Sequence, residues 1–284
     1  MVLMVVRSYS DSRFGRKVTN QVTRIPVLII FLTTILAMIG AQFHLSKPWL
    51  SVLAVTNFRT SWLSREIIGT LLFFLSVGSL MFLDWFVIGR ERVKSAVGWF
   101  GVFIGSATIY CMSRIYILPS QAAWNSPLTV ADYFLGMIIL GVSAMLAILL
   151  LDMNYTKVLK PEDLGSRPKI FREVLPWLVV ISCATFIVIA VLNVIQLISL
   201  HNGDLGAQTS FALAIELYLP LFVIRLSLPF IGMIVLVVAS VQVIRNTRAI
   251  DKLTILVYLS CMFVLIGEVT ERFLFYATHV RIGV

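Results

Sequence analysis

Residues 131–151 read ADYFLGMIILGVSAMLAILLL, a segment whose only charged side chain, Asp132, stands at its first turn. About 20 apolar residues suffice to cross a bilayer as a helix. In lipid the backbone has to satisfy itself within the segment, so such a span is a helix and not an open strand. The pattern recurs, giving seven runs in all: Ile25–Phe43, Ile67–Ile88, Ala96–Leu118, Ala131–Leu151, Val174–Leu200, Leu217–Val243 and Leu253–Thr278. No connection between them is long enough for a separate soluble domain. The composition agrees: 59% of residues are hydrophobic and 13% charged, about half the charged share of a soluble domain. The sequence predicts an all-α, polytopic transmembrane helix bundle, with residues 1–284 forming a single membrane-embedded domain.

The net charge of +9 does not point to nucleic acid, because the basic residues fall in alternate connections. One set is Arg7, Arg13, Arg16, Lys17 and Arg24. The others are Arg90, Arg92 and Lys94; Lys157, Lys160, Arg167, Lys169 and Arg172; and Arg245, Arg248 and Lys252. This alternation follows the positive-inside rule, so the N-terminal tail is expected in the cytoplasm and the C-terminus outside. Anionic membrane lipid is the expected partner of the basic connections. Met1–Val6 is a short apolar stub that stops at Arg7, without the basic region and cleavage site of a signal peptide. It reads as the last turns of a helix, and one more N-terminal span is expected beside Ile25–Phe43.

Cys111, Cys183 and Cys261 all fall inside apolar runs and form no CxxC pair. They read as small core hydrophobes, and no metal is expected in this chain. None of His44, His201 and His279 is mid-helix, so no haem is expected; His44 with His279 is the one pair left open.

The informative charges gather at one predicted face. Arg114, Arg225, Glu268 and Arg272 lie within or at the ends of apolar runs. His44, Arg65, Glu66, Asp132 and His279 lie at or just beyond ends on the same side. A charge in hydrocarbon costs at least about 2–3 kcal/mol, which makes each a candidate functional group. Each also has a plainer reading. Ser64 reads as a helix N-cap with Glu66 in the first turn. Arg114 reads as a snorkelling arginine, Trp49 and Trp62 as interfacial belt residues, and His44 as a wetted loop residue. Glu268, Arg272, Tyr276 and His279 share one helical face. Glu268 lies roughly 15 Å below the end of its run, too deep for a solvated surface, although a Glu268–Arg272 pair that only neutralises charge is an alternative. Ser126-Pro127 is a helix-start signal. The inner halves of the runs show few ionisable groups, so a proton path across the bundle is not expected.

Three stretches carry a family resemblance: His-Leu-x-x-Pro at His44, Ser-Trp-Leu-Ser-Arg-Glu-Ile at Ser61–Ile67, and Gly-Glu-x-x-x-Arg-x-x-Phe-Tyr at Gly267–Tyr276. With Arg114-x-Tyr116 and Trp124, they resemble the membrane anchor subunit of dimethyl sulfoxide reductase, the DmsC type within the polysulfide-reductase-like (NrfD/PsrC) superfamily. That family has eight spans, and the first would be the one missing here. The resemblance implies a cell (inner) membrane protein of anaerobic respiration that oxidises menaquinol without a redox cofactor of its own. It further implies a ferredoxin-like iron–sulfur subunit and a molybdopterin catalytic subunit as partners. His44 and Glu66 stand where the family places its quinol-site histidine and acid, and are the expected proton acceptors. Arg65, Arg114, Trp124, Glu268 and Arg272 are the further quinol-binding candidates. An anchor for a sister complex reducing polysulfide, tetrathionate or thiosulfate is the alternative within the superfamily. A solute transporter is the alternative outside it, disfavoured by the absence of an internal repeat.

Overall fold

The computed structural model describes residues 1–43, 53, 55–245 and 249–281. Among these residues the chain is all helix, with one isolated bridge between Gln121 and Arg281. The helices are α1 (Val2–Phe14), α2 (Arg16–Phe43), α3 (Trp62–Trp85), α4 (Glu91–Tyr116), α5 (Pro127–Leu159), α6 (Arg167–His201), α7 (Leu205–Ala212), α8 (Leu219–Arg245) and α9 (Ala249–Ala277). Seven of them, α2 to α6, α8 and the Thr254–Ala277 part of α9, are long and apolar enough to cross a membrane. Their outward faces are apolar, as at Leu36, Phe103 and Ile187. Against lipid such faces carry no penalty.

The helices outrun the apolar segments that announce them. α2 begins at Arg16 rather than Ile25, and α5 continues past Leu151 to Leu159. Hydropathy marks the stretch that needs lipid, whereas backbone hydrogen bonding continues into the polar interface. The sixth run was expected to begin at Leu217. That residue instead closes a π-helical turn, Leu213–Leu217, ahead of α8. The start of α5 agrees with its signal: the Ser126 hydroxyl accepts from the Leu128 N–H at 3.2 Å, with Pro127 at the first helical position. The start of α3 differs. Its cap is Ser61, whose hydroxyl accepts from the Ser64 N–H at 3.3 Å. Ser64 is buried one turn inside, and Glu66 therefore falls beyond the first turn. The apolar stub also differs from its reading. Helix α1 passes through Arg7 to Phe14, burying Leu3, Met4, Val6 and Arg7.

The chain divides into two compact units, Met1–Ile115 and Tyr116–Val284. In the first, small residues let helices approach closely. A Cβ on Gly101 would crowd the Ser76 side chain, whose hydroxyl donates to the Val97 carbonyl at 2.8 Å. At the end bearing Trp85 and Glu91, four helices meet on one acid. Asp84 of α3 accepts from Arg7 of α1 through both oxygens (2.5 and 2.9 Å) and lies 3.4 Å from Lys94 Nζ of α4. Arg24 of α2 donates to the Asp84 carbonyl at 3.2 Å. Asn20 of α2 accepts from Arg7 at 2.8 Å and donates to Glu91 at 2.9 Å, and Glu91 lies 3.3 Å from Lys94. Arg7, Asp84 and Lys94 are each about 95% buried or more. Arg7 and Lys94, expected from the sequence to be basic residues of connections beside anionic lipid, are instead internal counter-charges of Asp84.

In the second unit α8 and α9 form the closest pair. The Ser260 hydroxyl donates to the Gly232 carbonyl at 2.6 Å, and Gly267 rests against Pro229. Helix α5 joins them through the Cys261 thiol, which donates to the Ser143 carbonyl at 3.2 Å. Arg167 Nε binds Asp152 at 2.7 Å, tying the start of α6 to α5.

Removing one member of a buried ion network leaves its partners uncompensated, at about 3–5 kcal/mol. Asp84→Ala is therefore expected to lower the unfolding temperature in mild detergent sharply, whereas Asp11→Ala, at a half-buried carboxylate 3.7 Å from the exposed Arg16, has a much smaller effect. Equal stability of the two variants would show that the network does not hold α1 in place.

Candidate functional site

Two polar sets stand out, one in each unit. In the first, Trp62 and Glu66 lie four residues apart on one face of α3. The guanidiniums of Arg65 and Arg114 lie 4.3 and 5.4 Å from the Trp62 ring centroid, and Tyr110 meets that ring edge-on at 5.8 Å. Arg65 is committed to the preceding connection, donating to the carbonyls of Phe58 (3.0 Å) and Arg59 (2.6 Å). Arg114 is different. Its Nε is buried without a hydrogen-bond partner among the described residues. A snorkelling arginine presents its donors to water, so a buried, unused N–H is a donor waiting for an acceptor. Glu66 is half-buried. His44, the other expected proton acceptor, lies outside the described residues.

The second set is denser. Arg272 of α9 pairs with Asp132 of α5 at 3.3 Å and with Glu271 at 3.2 Å, and its guanidinium lies 4.1 Å from the Tyr133 ring centroid. Arg225 of α8 lies 3.9 Å from Glu271 and donates to the side-chain amide oxygen of Asn193 of α6. Glu268 and Arg272, expected on one face, do share a surface: a Cβ on Gly136 of α5 would stand 3.0 Å from Glu268 Oε2 and 3.4 Å from Arg272 Nη2. The ion pairs of Arg272, however, run to Asp132 and Glu271. Trp124 donates to the Phe275 carbonyl at 2.8 Å and stacks on the Phe275 ring at 5.0 Å, with His279 stacked on Trp124 at 4.5 Å. Tyr116 and Tyr276 share a hydroxyl–hydroxyl bond of 2.7 Å.

Of the expected site residues, Arg65, Glu66 and Arg114 thus fall in the first unit, and Trp124, Glu268 and Arg272 in the second. Sequence reading passed over Glu271, Asn193 and Gln196. Glu271 sits next to the residue that drew attention, one step off the helical face used to rank candidates. Asn193 and Gln196 lie inside the long run Val174–Leu200, where a lone amide is easily taken for tolerated polarity. Two amides spaced by three within a span do share one helical face, and that spacing is a usable signal.

The tight seat of Glu268 and Arg272 over Gly136 is testable. Glycine to alanine in an open helix raises stability by somewhat under about 1 kcal/mol, which is expected for Gly40→Ala, where a Cβ meets nothing within 4 Å. Gly136→Ala is expected to lower it instead, because overpacking against a buried carboxylate and a half-buried guanidinium outweighs the propensity gain. Parallel melts of the two variants in detergent decide the matter.

Comparison with known proteins adds the following. No solved structure matches the chain. A stretch of 148 residues is 26% identical to a subunit of the sulfite dehydrogenase of Allochromatium vinosum, covering 48% of this chain and 46% of that protein. The chain thus spans under half the length of that relative. The family described as DMSO reductase anchor subunit (DmsC) matches residues 12–278, which takes in every span. With its seven apolar helices this is a multi-pass membrane protein, and it belongs to the DMSO reductase anchor subunit (DmsC) family.

Proposed function

We propose that this chain anchors a molybdoenzyme complex in the cell (inner) membrane, oxidises menaquinol, and passes the electrons to an iron–sulfur subunit that feeds a molybdopterin catalytic subunit. Membership of an anchor-subunit family supports association with a catalytic subunit of an oxidoreductase complex. The observation that carries the quinol reading is the orphaned, buried Arg114 Nε beside Trp62, on whose helical face Glu66 also lies. A quinol ring needs an apolar or aromatic wall and a few polar groups at its two oxygens. Trp62 supplies the wall and Arg114 a fixed donor for one oxygen.

Oxidation of the quinol to the quinone releases two electrons and two protons. The electrons leave to the partner subunit, and the protons need acceptors within hydrogen-bond reach. Glu66 takes one and passes it towards water. The N-cap of α3 is Ser61, so capping is done by another side chain than Glu66. His44 takes the other proton, an imidazole being able to accept one near neutral pH. Electrons have to leave close to the partner's first cluster, so the iron–sulfur subunit docks at the end of α3 that bears Glu66. By the positive-inside rule this end is outside and the Arg7–Arg24 segment is cytoplasmic. The relative from Allochromatium vinosum is named for sulfite, so an anchor serving a sulfur-oxyanion enzyme is the second reading. The anchor does not itself contact the terminal substrate, and the chemistry proposed for it is the same in both cases.

Glu66→Gln, His44→Ala and Arg114→Ala are each expected to depress quinol-linked turnover of the assembled complex, by roughly a hundredfold for the loss of a proton acceptor. Each should spare activity with an artificial dye that addresses the catalytic subunit directly. Loss of both activities together would make these residues assembly contacts, and unchanged quinol oxidation in all three would remove the site. Sidedness is read separately, by labelling single cysteines in a cysteine-free background. A cysteine at Lys160 is expected to react only after the cytoplasmic face is opened, and one at Asn125 from outside. The reverse pattern would invert the topology.

A further inference from the structure

The second unit contains a cavity of about 100 Å³ that the reading above does not use. It lies among the Trp124-bearing connection and α5, α6, α8 and α9, with Ala214 of the π-helical turn in its wall. The wall is mostly apolar, and the stacked rings of Trp124 and Phe275, 9° from coplanar, give it a flat slab. Four residues of the lining carry a polar atom buried without a hydrogen-bond partner among the described residues: Asp132 Oδ2, which lies 3.3 Å from Arg272 Nη2, Gln196 Oε1, Arg225 Nε and Glu271 Oε2. Gln196 is held by its other end, its Nε2 donating to the Ala123 carbonyl at 2.9 Å. Glu271 Oε2 lies 3.2 Å from Arg272 Nε, without the alignment of a hydrogen bond. The Glu271 side chain is 7% exposed and that of Arg225 13%. A buried donor and three buried acceptors left unmade are unfavourable by about 1–3 kcal/mol each. A ligand that meets them recovers that energy.

The chemistry of the lining narrows the ligand. The charged residues of the lining are Asp132, Glu271 and Arg225, two carboxylates to one guanidinium, so the lining carries a formal charge of −1. An anion, including a lipid phosphate or a sulfur oxyanion, is repelled. A metal cation is opposed by the Arg225 guanidinium 3.9 Å from the available carboxylate. What remains is a neutral molecule that is flat on one side, carries both a hydrogen-bond donor and an acceptor, and reaches the site among membrane-spanning helices.

We infer that this cavity is a second binding site, distinct from the Glu66–Arg114 set, for a neutral hydroquinone or quinone headgroup. The ring lies against the Trp124–Phe275 slab. Arg225 Nε donates to one ring oxygen, and Gln196 Oε1 or Glu271 Oε2 accepts from a hydroxyl. The preference for a flat neutral ligand follows from the lining alone; the choice of a quinone within that class rests on the menaquinol reading of the chain.

The test reads binding and resolves it by unit. The complex purified in mild detergent is photolabelled with an azido-naphthoquinone bearing a short prenyl tail, and the labelled peptides are mapped by mass spectrometry. Label is expected on peptides containing Trp124 and Phe275. Two variants, Ala214→Phe and Ala123→Phe, fill the cavity from different walls. Each is expected to reduce that label about tenfold or more while leaving label on the Trp62 peptide unchanged; a melt identifies a variant that fails to fold, and the other then decides. Label on the Trp62 peptide alone overturns this inference and leaves the first site standing. Label on the Trp124 and Phe275 peptides alone upholds it and removes the first site. Label there that both filled variants retain shows attachment at the lipid surface only, and overturns it. A cavity holding water alone gives no label in this unit, with the same consequence.

Discussion

A carboxylate among membrane helices has to be met by cations, and Asp84 is met by Arg7 and Lys94 while Arg24 binds its carbonyl. These groups come from α1, α2, α3 and α4, so a single acid fixes where all four helices of the first unit end relative to one another. Hydrophobic burial cannot do this in a membrane, because lipid tails are as apolar as the helix faces they would replace. Small residues then close the remaining distances, as Gly101 does against Ser76. The candidate quinol site lies on this same frame, since Glu66 and Trp62 ride on α3 and Arg114 on α4. The precision of that site is inherited from the register of α3 and α4.

The second unit solves the same problem differently. Glu271 lies between Arg225 and Arg272, and Arg272 is shared with Asp132, which links α5, α8 and α9. Here the pairing is incomplete. Donor and acceptor atoms are left over, on residues that line a cavity. The Asp84 network uses its bidentate arginine and its lysine to satisfy one carboxylate almost fully, as a structural network must. A set with unused hydrogen-bonding capacity beside an apolar hollow is the arrangement expected of a binding site. The contrast between the two sets is the physical ground for assigning one to holding helices together and the other to holding a ligand.

Much was legible in the chain. Seven apolar runs became seven spanning helices, because hydrocarbon thickness imposes a length and backbone satisfaction imposes helicity. Ser126-Pro127 marked the start of α5, since capping is chemistry of adjacent residues. Glu268 was singled out correctly as buried. Local reading erred where two local answers compete: Ser61 and Ser64 both suit an N-cap, and only the observed turn geometry selects Ser61. That choice decides whether Glu66 stands in the first turn of α3 or beyond it.

The sequence by itself determined the class of fold, the number of spans and the residues too costly to bury without a purpose, because those follow from the solvent the helices lie in. It could not determine which charges meet. Arg7 and Lys94 look like any cations of a basic connection, and the burial of Arg7 on Asp84 depends on residues 77 positions apart in the chain coming together. Glu271 rather than Glu268 became the partner of Arg225 because the rotation of α9 against α8, set by Gly267 on Pro229, turns that side of the helix inward. Periodicity names a helical face. Packing decides which neighbour that face is given, and only through packing do separate polar residues become one site.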